Sequence, residues 1–458
     1  MNERAFRPYD PDQMLLLPPS LKEWLPAGHL VYFVADLVEN LDLDAILSAY
    51  GGPARGTVPY DPKLLTAVLI YGYCTGVFSS RKMARKLEED VAFRVLAANQ
   101  RPDFRTISDF RKTHLRELTG LFVQVLRMCR AAGLVKLGHV AVDGTKIKAN
   151  ASKHKAMSYE RMNKEEERLK REVEALLRQA EELDEAEDAE YGPARRGDEL
   201  PDELAYREGR LKKIREAKET LEREAKEEAE AQKHERAARE QAGPVRGPKP
   251  QEPDPNPGPK AQKNFTDPES RIMPSPADKK SFMQAYNCQA AVDGKGQIIV
   301  AVAVTQEAND KKQAAPMMER VVGNTGSAPK MALMDAGYYS KENVAAVEYL
   351  GAEVFMPPNR VEHGKAVEAA VRGRIPNSCS PVDRMKRKLR TKRGRGIYAL
   401  RKEIVEPVFG QIKQARGFRQ FLLRGLAKVS GEWSLVCTTH NILKLWKSGR
   451  FKPGYAAS

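Results

Sequence analysis

The chain has 458 residues, too many for one ordinary domain, and its 77 Lys plus Arg against 62 Asp plus Glu leave a net charge of +15. The longest apolar stretch, Leu64 to Phe78, is short and interrupted by Tyr71, Tyr73 and Thr75, and the N-terminal residues lack the apolar core of a signal peptide, so a soluble, cytoplasmic protein is expected. Five scattered cysteines (Cys74, Cys129, Cys288, Cys379, Cys437) form no CxxC or Cys/His cluster, which argues against a disulfide scaffold and a zinc site, while the excess of cations points to a polyanionic partner, nucleic acid first.

Residues 1–135 read as a helical domain. Apolar stripes run over Leu30 to Leu47, Pro62 to Tyr73, Arg81 to Ala97 and Thr106 to Leu134, with Thr106 as the expected N-cap of the last helix and Asp109 three residues on. Arg81, Lys82, Arg85, Arg105, Arg111 and Lys112 place cations around two consecutive short-linked helices. That pattern fits a helix-turn-helix-like DNA reader, and equally a plain helical bundle with a charged surface.

After residue 135 the period changes. His139 to Asp143 alternates as a strand does, and residues 136–155 open an α/β unit that resumes at 265–430. Between them lies an acidic block. From Glu160 to Glu240 there are 27 acidic and 19 basic side chains, a net of −8, which leaves +23 on the rest of the chain. Within 156–242, Met162, Leu169, Val173, Leu176, Ala180 and Leu183, and then Leu204, Leu211, Ile214, Leu221 and Ala225, keep heptad spacing on either side of a break at Tyr191-Gly192-Pro193. A coiled-coil-like helical hairpin is expected there, kept away from any DNA cut site by its own charge. Residues 243–264 are rich in Pro and Gly and read as a linker.

Tyr286 to Val292 and Gln297 to Thr305 read as a strand pair around Asp293-Gly294-Lys295-Gly296, with Asp-Gly supplying the positive φ of the turn. Lys330 to Met334 and Ala352 to Met356 are further strands, separated by helical stretches, so the sheet is expected to be mixed. Residues 431–458, with Trp433 and Trp446, read as a C-terminal core helix and tail.

Two aspartates end apolar strand patterns: Asp143 after His139 to Val142, and Asp335 after Lys330 to Met334. Either alone also fits a turn or an N-cap. Glu406 stands beside the helical stripe Val405, Val408, Phe409 and Ile412, with Lys413 two turns further on, and ten cations crowd the nineteen residues from Arg384 to Lys402. Three hard oxygen donors without His or Cys suit Mg²⁺ or Mn²⁺, and two such ions would serve an in-line phosphoryl displacement beside a cationic phosphate track.

These residues resemble the DDE transposases of bacterial insertion sequences that carry a Tyr-x2-Arg-x3-Glu-x6-Lys signature. Glu406 and Lys413 match it as they stand; Tyr398 and Arg401 keep their mutual spacing one position early, with Lys402 at the signature's own Arg position. The resemblance implies a ribonuclease H-like mixed sheet with flanking helices. Asp143, Asp335 and Glu406 would be the catalytic, metal-holding carboxylates, with two Mg²⁺ or Mn²⁺ ions. Lys413, Arg401, Lys402, Tyr398 and Arg416 would contact DNA, joined by Lys146, Tyr338, Arg81, Lys82 and Arg111. It further implies cleavage at terminal inverted repeats and strand transfer into target DNA, with a homodimer as the active complex. A host nuclease with the same chemistry, or an inactive DNA-binding relative, is the competing reading.

Overall fold

A computed structural model describes residues 20–50, 58–191, 202–241, 252–275, 281–359 and 378–452, together with Gly373 and Pro376. Of the expected linker at 243–264, residues 243–251 lie outside them, as does the tail beyond 452, while Gln262–Asn264 form a strand. Among the described residues no helix is long and apolar enough to cross a membrane, and all five cysteines are free.

The N-terminal part is helical: α1 (Leu30–Glu39), α2 (Asp44–Leu47), α3 (Pro62–Thr75), α4 (Ser80–Glu89), α5 (Val91–Leu96), α6 (Phe104–Thr113) and α7 (Leu115–Ala131). Helix α3 starts where Asp61 accepts the Lys63 amide at 2.7 Å with Pro62 in the first turn, and ends at Gly76, whose φ of 80° suits glycine. The expected continuous helices 81–97 and 106–134 are each split in two. Asp90 turns its carboxylate onto the Ala92 amide and starts α5, and the chain kinks at His114 between α6 and α7. The N-cap of α6 is Asp103, which accepts the Thr106 amide at 2.7 Å, so Thr106 lies inside the helix it was expected to begin.

The sheet contains β1 (His139–Lys148), then, beyond the inserted segment, β4 (Arg271–Pro274), β5 (Phe282–Asp293), β6 (Ile299–Thr305), β7 (Met331–Leu333) and β8 (Glu353–Phe355). Its order is β4-β5-β1-β7-β8, with β6 also on β5; β5 runs antiparallel to β1 and β6, whereas β7 and β8 run parallel to β1. The fold is therefore mixed α/β. In the β5–β6 turn the positive φ falls on Gln297, at 53°, and not on Gly294. At Gly294 space is tight instead: a Cβ there would lie 3.0 Å from Ile404 Cδ1 and 3.3 Å from the His139 carbonyl oxygen. The turn is tied by the buried Asp293, which accepts the amides of Leu137 (2.7 Å) and Lys295 (3.0 Å).

The inserted segment holds a small ribbon, β2 (Ala156–Ser158) against β3 (Gln262–Asn264), and two long helices, α8 (Tyr159–Tyr191) and α9 (Asp202–Gln241). Met162 and Leu169 of α8 pack with Leu211, Ile214 and Leu221 of α9 in an apolar cluster of their own.

Helix α10 (Ala314–Thr325) covers β6, and α11 (Lys341–Tyr349) follows β7. Helices α12 (Pro381–Arg390) and α13 (Lys392–Gly410) lead into a π-helical turn, Gln411–Ala415, and α14 (Leu426–Ser448) closes the chain. α14 touches α3, α7 and β6, so one apolar core runs from α1 through the sheet to Leu445. Trp433 is fully buried in it and donates Nε1–H to the Gln289 carbonyl at 3.1 Å.

Candidate active site

Strand β1 sits between β5 and β7 and is apolar and buried through Val142; Asp143 is the first charged side chain beyond that point. Its Oδ1 accepts the Gly144 amide at 2.9 Å and its Oδ2 accepts Arg401 Nη1 at 2.9 Å. Burial pushes the Asp143 carboxyl up to about 6; the Arg401 charge opposes this, and the nearby Asp335 and Asp310 charges reinforce it. A carboxylate crowded by other carboxylates midway along the central strand is a group in need of cations.

Asp335 follows β7, the parallel neighbour of β1, and caps the short turn Ala336–Tyr338 by accepting the Gly337 amide at 2.8 Å. Parallel pairing in the register Ala141–Leu333 sets Asp143, midway along β1, level with Asp335 just past the end of β7.

Helix α13 lies over β1 and β5. Its buried stripe, Ile404, Val405 and Val408, continues backward to Arg401, which is 9% exposed and points at Asp143. Tyr398, one turn earlier, is half-buried, and burial raises its hydroxyl pKa while the Arg401 charge opposes this. Glu406 is on the exposed flank, with Oε1 3.9 Å from Arg401 Nη2. Pro407 stands inside α13 and cannot donate to the Glu403 carbonyl; the Gln297 side chain supplies the missing donor at 2.9 Å, so the helix continues across the proline. Within the π-helical turn Lys413 donates to Thr145 Oγ1, two residues along β1 from Asp143 and on the same face. Burial lowers the Lys413 ammonium pKa.

Among the described residues no three of Asp, Glu, His and Cys stand close enough to hold a metal ion as they are. The carboxylates converge on a guanidinium. Asp143 and Glu406 flank Arg401, and Asp335 is close enough for its charge to act on both Asp143 and Arg401.

Other expected site residues fall elsewhere. Arg111 is 5% exposed and donates to Tyr73 Oη and the Phe78 carbonyl, both at 3.1 Å; Tyr73 in turn donates to the buried Glu432. Arg416 donates to Thr439 Oγ1 at 2.8 Å and the Val436 carbonyl at 3.1 Å, and burial lowers its pKa. Tyr338 is fully buried with its hydroxyl on Gln289. Arg111 and Tyr338 are buried and Arg416 half-buried, and all three spend their polar groups on partners within the protein. Arg81, Lys82 and Lys402 are exposed, the first with its guanidinium 5.1 Å from the Phe104 ring centroid, and Lys146 is half-buried on β1.

Sequence reasoning missed Asp310, in the loop after β6. Its Oδ1 accepts Gln289 Nε2 at 2.6 Å and Asn287 Nδ2 at 2.8 Å, and it lies against the Gly144 backbone, where an added Cβ would be 2.5 Å from that oxygen. The other oxygen turns toward Gly337, 3.7 Å from where a Cβ would stand, beside Asp335 Oδ1 at 3.0 Å. The signal was indirect: Asn287 and Gln289 are polar and buried in the midst of an apolar strand.

Two segments match known families. Residues 19–113, covering α1 to α6, match a family described as "Transposase domain (DUF772)", and residues 369–446, which carry Arg401, Glu406 and Lys413, match one described as "Transposase DDE domain". No curated protein and no solved structure matches the chain.

Proposed function

Taking the chain as the DDE-type transposase that its two matched segments indicate, and therefore as a protein acting on DNA, we propose that it cuts phosphodiester bonds at the ends of its own element and joins the freed 3′-hydroxyl to target DNA. The observation that carries this reading is the placement of Asp143 on the central strand, Asp335 just past the adjacent parallel strand and Glu406 on the helix above, bridged by Arg401. The strand order β6-β5-β1-β7-β8, with only β5 antiparallel to β1, supports a ribonuclease H-like catalytic unit.

The donors suit two divalent cations, Mg²⁺ or Mn²⁺. Asp143, Asp335 and Glu406 offer only carboxylate oxygens, and burial together with neighbouring negative charge raises the Asp143 carboxyl to about 6. Such ions would activate a water or a 3′-hydroxyl and stabilise the departing oxygen. The chain's own residues do the rest. Arg401 keeps Asp143 from rising further, and Lys413, fixed on Thr145, presents an ammonium on the Asp143 side of β1 where a phosphate would lie. The exposed Lys402 and the cations of α12 and α13 extend a phosphate track from there. A homodimer would pair two element ends.

The test incubates purified protein with a supercoiled plasmid carrying the element ends, with and without Mg²⁺. Cation-dependent cutting and joined products are expected. Asp143→Ala, Asp335→Ala and Glu406→Ala should each abolish both and retain duplex binding. Full activity in any variant removes that residue from the site, and cutting without joining makes the protein a hydrolytic nuclease.

A further inference from the structure

The inserted helical hairpin is acidic as a whole, yet its base is not. Where β1 ends, Lys148 lies on the rim of an open cleft of about 600 Å³ shared with Lys153 and Lys155; a second cleft of about 470 Å³ continues past Lys155 to Arg161 on α8 and to Arg210 and Lys213 on α9. No acidic side chain lines either cleft among the described residues. All six cations are exposed, and only Arg210 is in an ion pair, with Glu165 at 2.9 Å. Elsewhere on the hairpin, buried Glu166 takes Lys170, Arg215 and Lys218, and Glu224 takes Lys263 and Arg271. The hairpin base is left with a strip of positive charge in which five of the six cations make no ion pair among the described residues.

That strip is held in place. The Phe265 amide donates to the Lys155 carbonyl at 3.0 Å, Asn264 Nδ2 to the Ser152 carbonyl at 2.8 Å, and Tyr159 Oη to Glu222 at 2.7 Å, so the β2–β3 ribbon fixes the loop 150–155 and the first turn of α8 together. It also continues the strand that carries the chemistry. Lys148 is five residues beyond Asp143 on β1, about 17 Å at the rise of a β-strand and, by side-chain alternation, on the opposite face, and its backbone is clamped by Arg419 and Phe421.

We infer that this strip is a binding surface for the duplex DNA adjoining the cut, through its phosphates, and that the inserted hairpin is an arm that holds DNA at its base. The inference rests on the DNA-cutting role proposed above and extends it to a segment whose net charge argues against DNA contact. Exposed lysines and arginines spaced along a rigid strip suit a charged backbone, and the exposed rings of Phe282 and Tyr206 line the same clefts.

The test measures binding of a duplex taken from the element end as a function of salt, for the wild type and for the triple variant Lys153→Ala, Lys155→Ala, Lys213→Ala. The variant should bind roughly ten- to a hundredfold more weakly at low salt, with the slope of log K against log salt reduced by about 2 to 3. The triple arginine replacement at the same positions should bind as the wild type does, and both variants should melt as it does. An unchanged slope in the alanine variant overturns the inference while leaving the proposed function standing if Asp335→Ala still abolishes cutting. Equal loss in the arginine variant also overturns it, because charge would then not be what matters. A wild type that neither binds nor cuts duplex DNA overturns both.

Discussion

Arg401 Nη1 donates to Asp143 Oδ2 at 2.9 Å while Nη2 of the same guanidinium lies 3.9 Å from Glu406 Oε1, so a single buried cation spans the carboxylates brought by the central strand and by the helix above it. The pair Arg401–Asp143 is 11% and 18% exposed at its side chains, and burying either partner alone is costly. Arg401 is the chain's internal counter-ion at this edge of the sheet.

Arg401→Ala should therefore destabilise the metal-free protein by about 3 to 5 kcal/mol, the cost of an uncompensated buried charge. Adding Mn²⁺ should recover part of that loss, because the ion supplies the positive charge that the arginine had supplied. Melting temperatures with and without Mn²⁺ check it; an Arg401→Ala variant as stable as the wild type would show that Asp143 does not need the guanidinium.

Asp143 gives a pH signature. Its folded-state carboxyl lies at about 6, above the ordinary 3.8, so the folded chain retains a proton between those values that the unfolded chain has lost. The stability associated with that proton is fully present below the ordinary value and is lost as pH rises through about 6, amounting to about 3 kcal/mol at most. Asp143→Asn carries no such dependence. In metal-free protein the stability of the variant relative to the wild type should grow as pH rises from about 4 to about 6 and stay level above that, as followed by urea unfolding at a series of pH values. A difference that does not change with pH would contradict the assignment.

Much of this site was legible in the sequence because the period of the apolar residues reports the backbone. The strand alternation through Val142 and the apolar run ending at Met334 marked Asp143 and Asp335, although β1 runs on to Lys148 so that Asp143 lies mid-strand and only Asp335 follows a strand end; the stripe Val405, Val408, Ile412 laid α13 against the sheet. What sequence could not supply was which cations turn inward. Arg111 and Arg416 look like surface charges until their partners are known, and these lie far off along the chain: Glu432 reaches Arg111 through Tyr73, and Thr439 is bonded by Arg416. Asp310 was hidden for the same reason, since the amides that fix it belong to β5 and the backbone it approaches belongs to β1. The helix breaks at Asp90 and His114 went unseen because the apolar stripe continues across both.

Arg111 separates the two roles that its charge suggests. It is tied through Tyr73 to Glu432, which is fully buried and accepts the Leu422 and Leu423 amides at 3.0 Å as well as the Tyr73 hydroxyl at 3.1 Å. Arg111→Ala should cost about 3 to 5 kcal/mol in unfolding free energy by leaving Glu432 without its cation. The double variant Arg111→Met, Glu432→Gln should be less damaged than Arg111→Ala. Binding to duplex DNA by the folded fraction should keep its salt slope, whereas a slope reduced by about 1 would return Arg111 to the DNA surface.

Gly144 is the tightest point of the site. A Cβ at this position would lie 2.5 Å from both Asp310 Oδ1 and Gln289 Nε2, which are themselves bonded at 2.6 Å, and 3.0 Å from Asn287 Oδ1. None of the three can yield alone, because Asn287 and Gln289 both hold Asp310 and Gln289 also takes the buried Tyr338 hydroxyl. Gly144→Ala must therefore push Asp310 and its amides off the β1 backbone as a unit, next to the residue that the reading makes catalytic. Overpacking of this kind costs about 1 to 3 kcal/mol in stability. A displacement approaching 1 Å beside Asp143 should also lower the cutting rate by roughly 10- to 100-fold. If the effect runs through Asp310, Asp310→Asn should reproduce the rate loss with little change in melting temperature, since the amide keeps the shape of the carboxylate. A Gly144→Ala protein that cuts at the wild-type rate would mean that Asp310 and Asp143 are not positioned by the same contact.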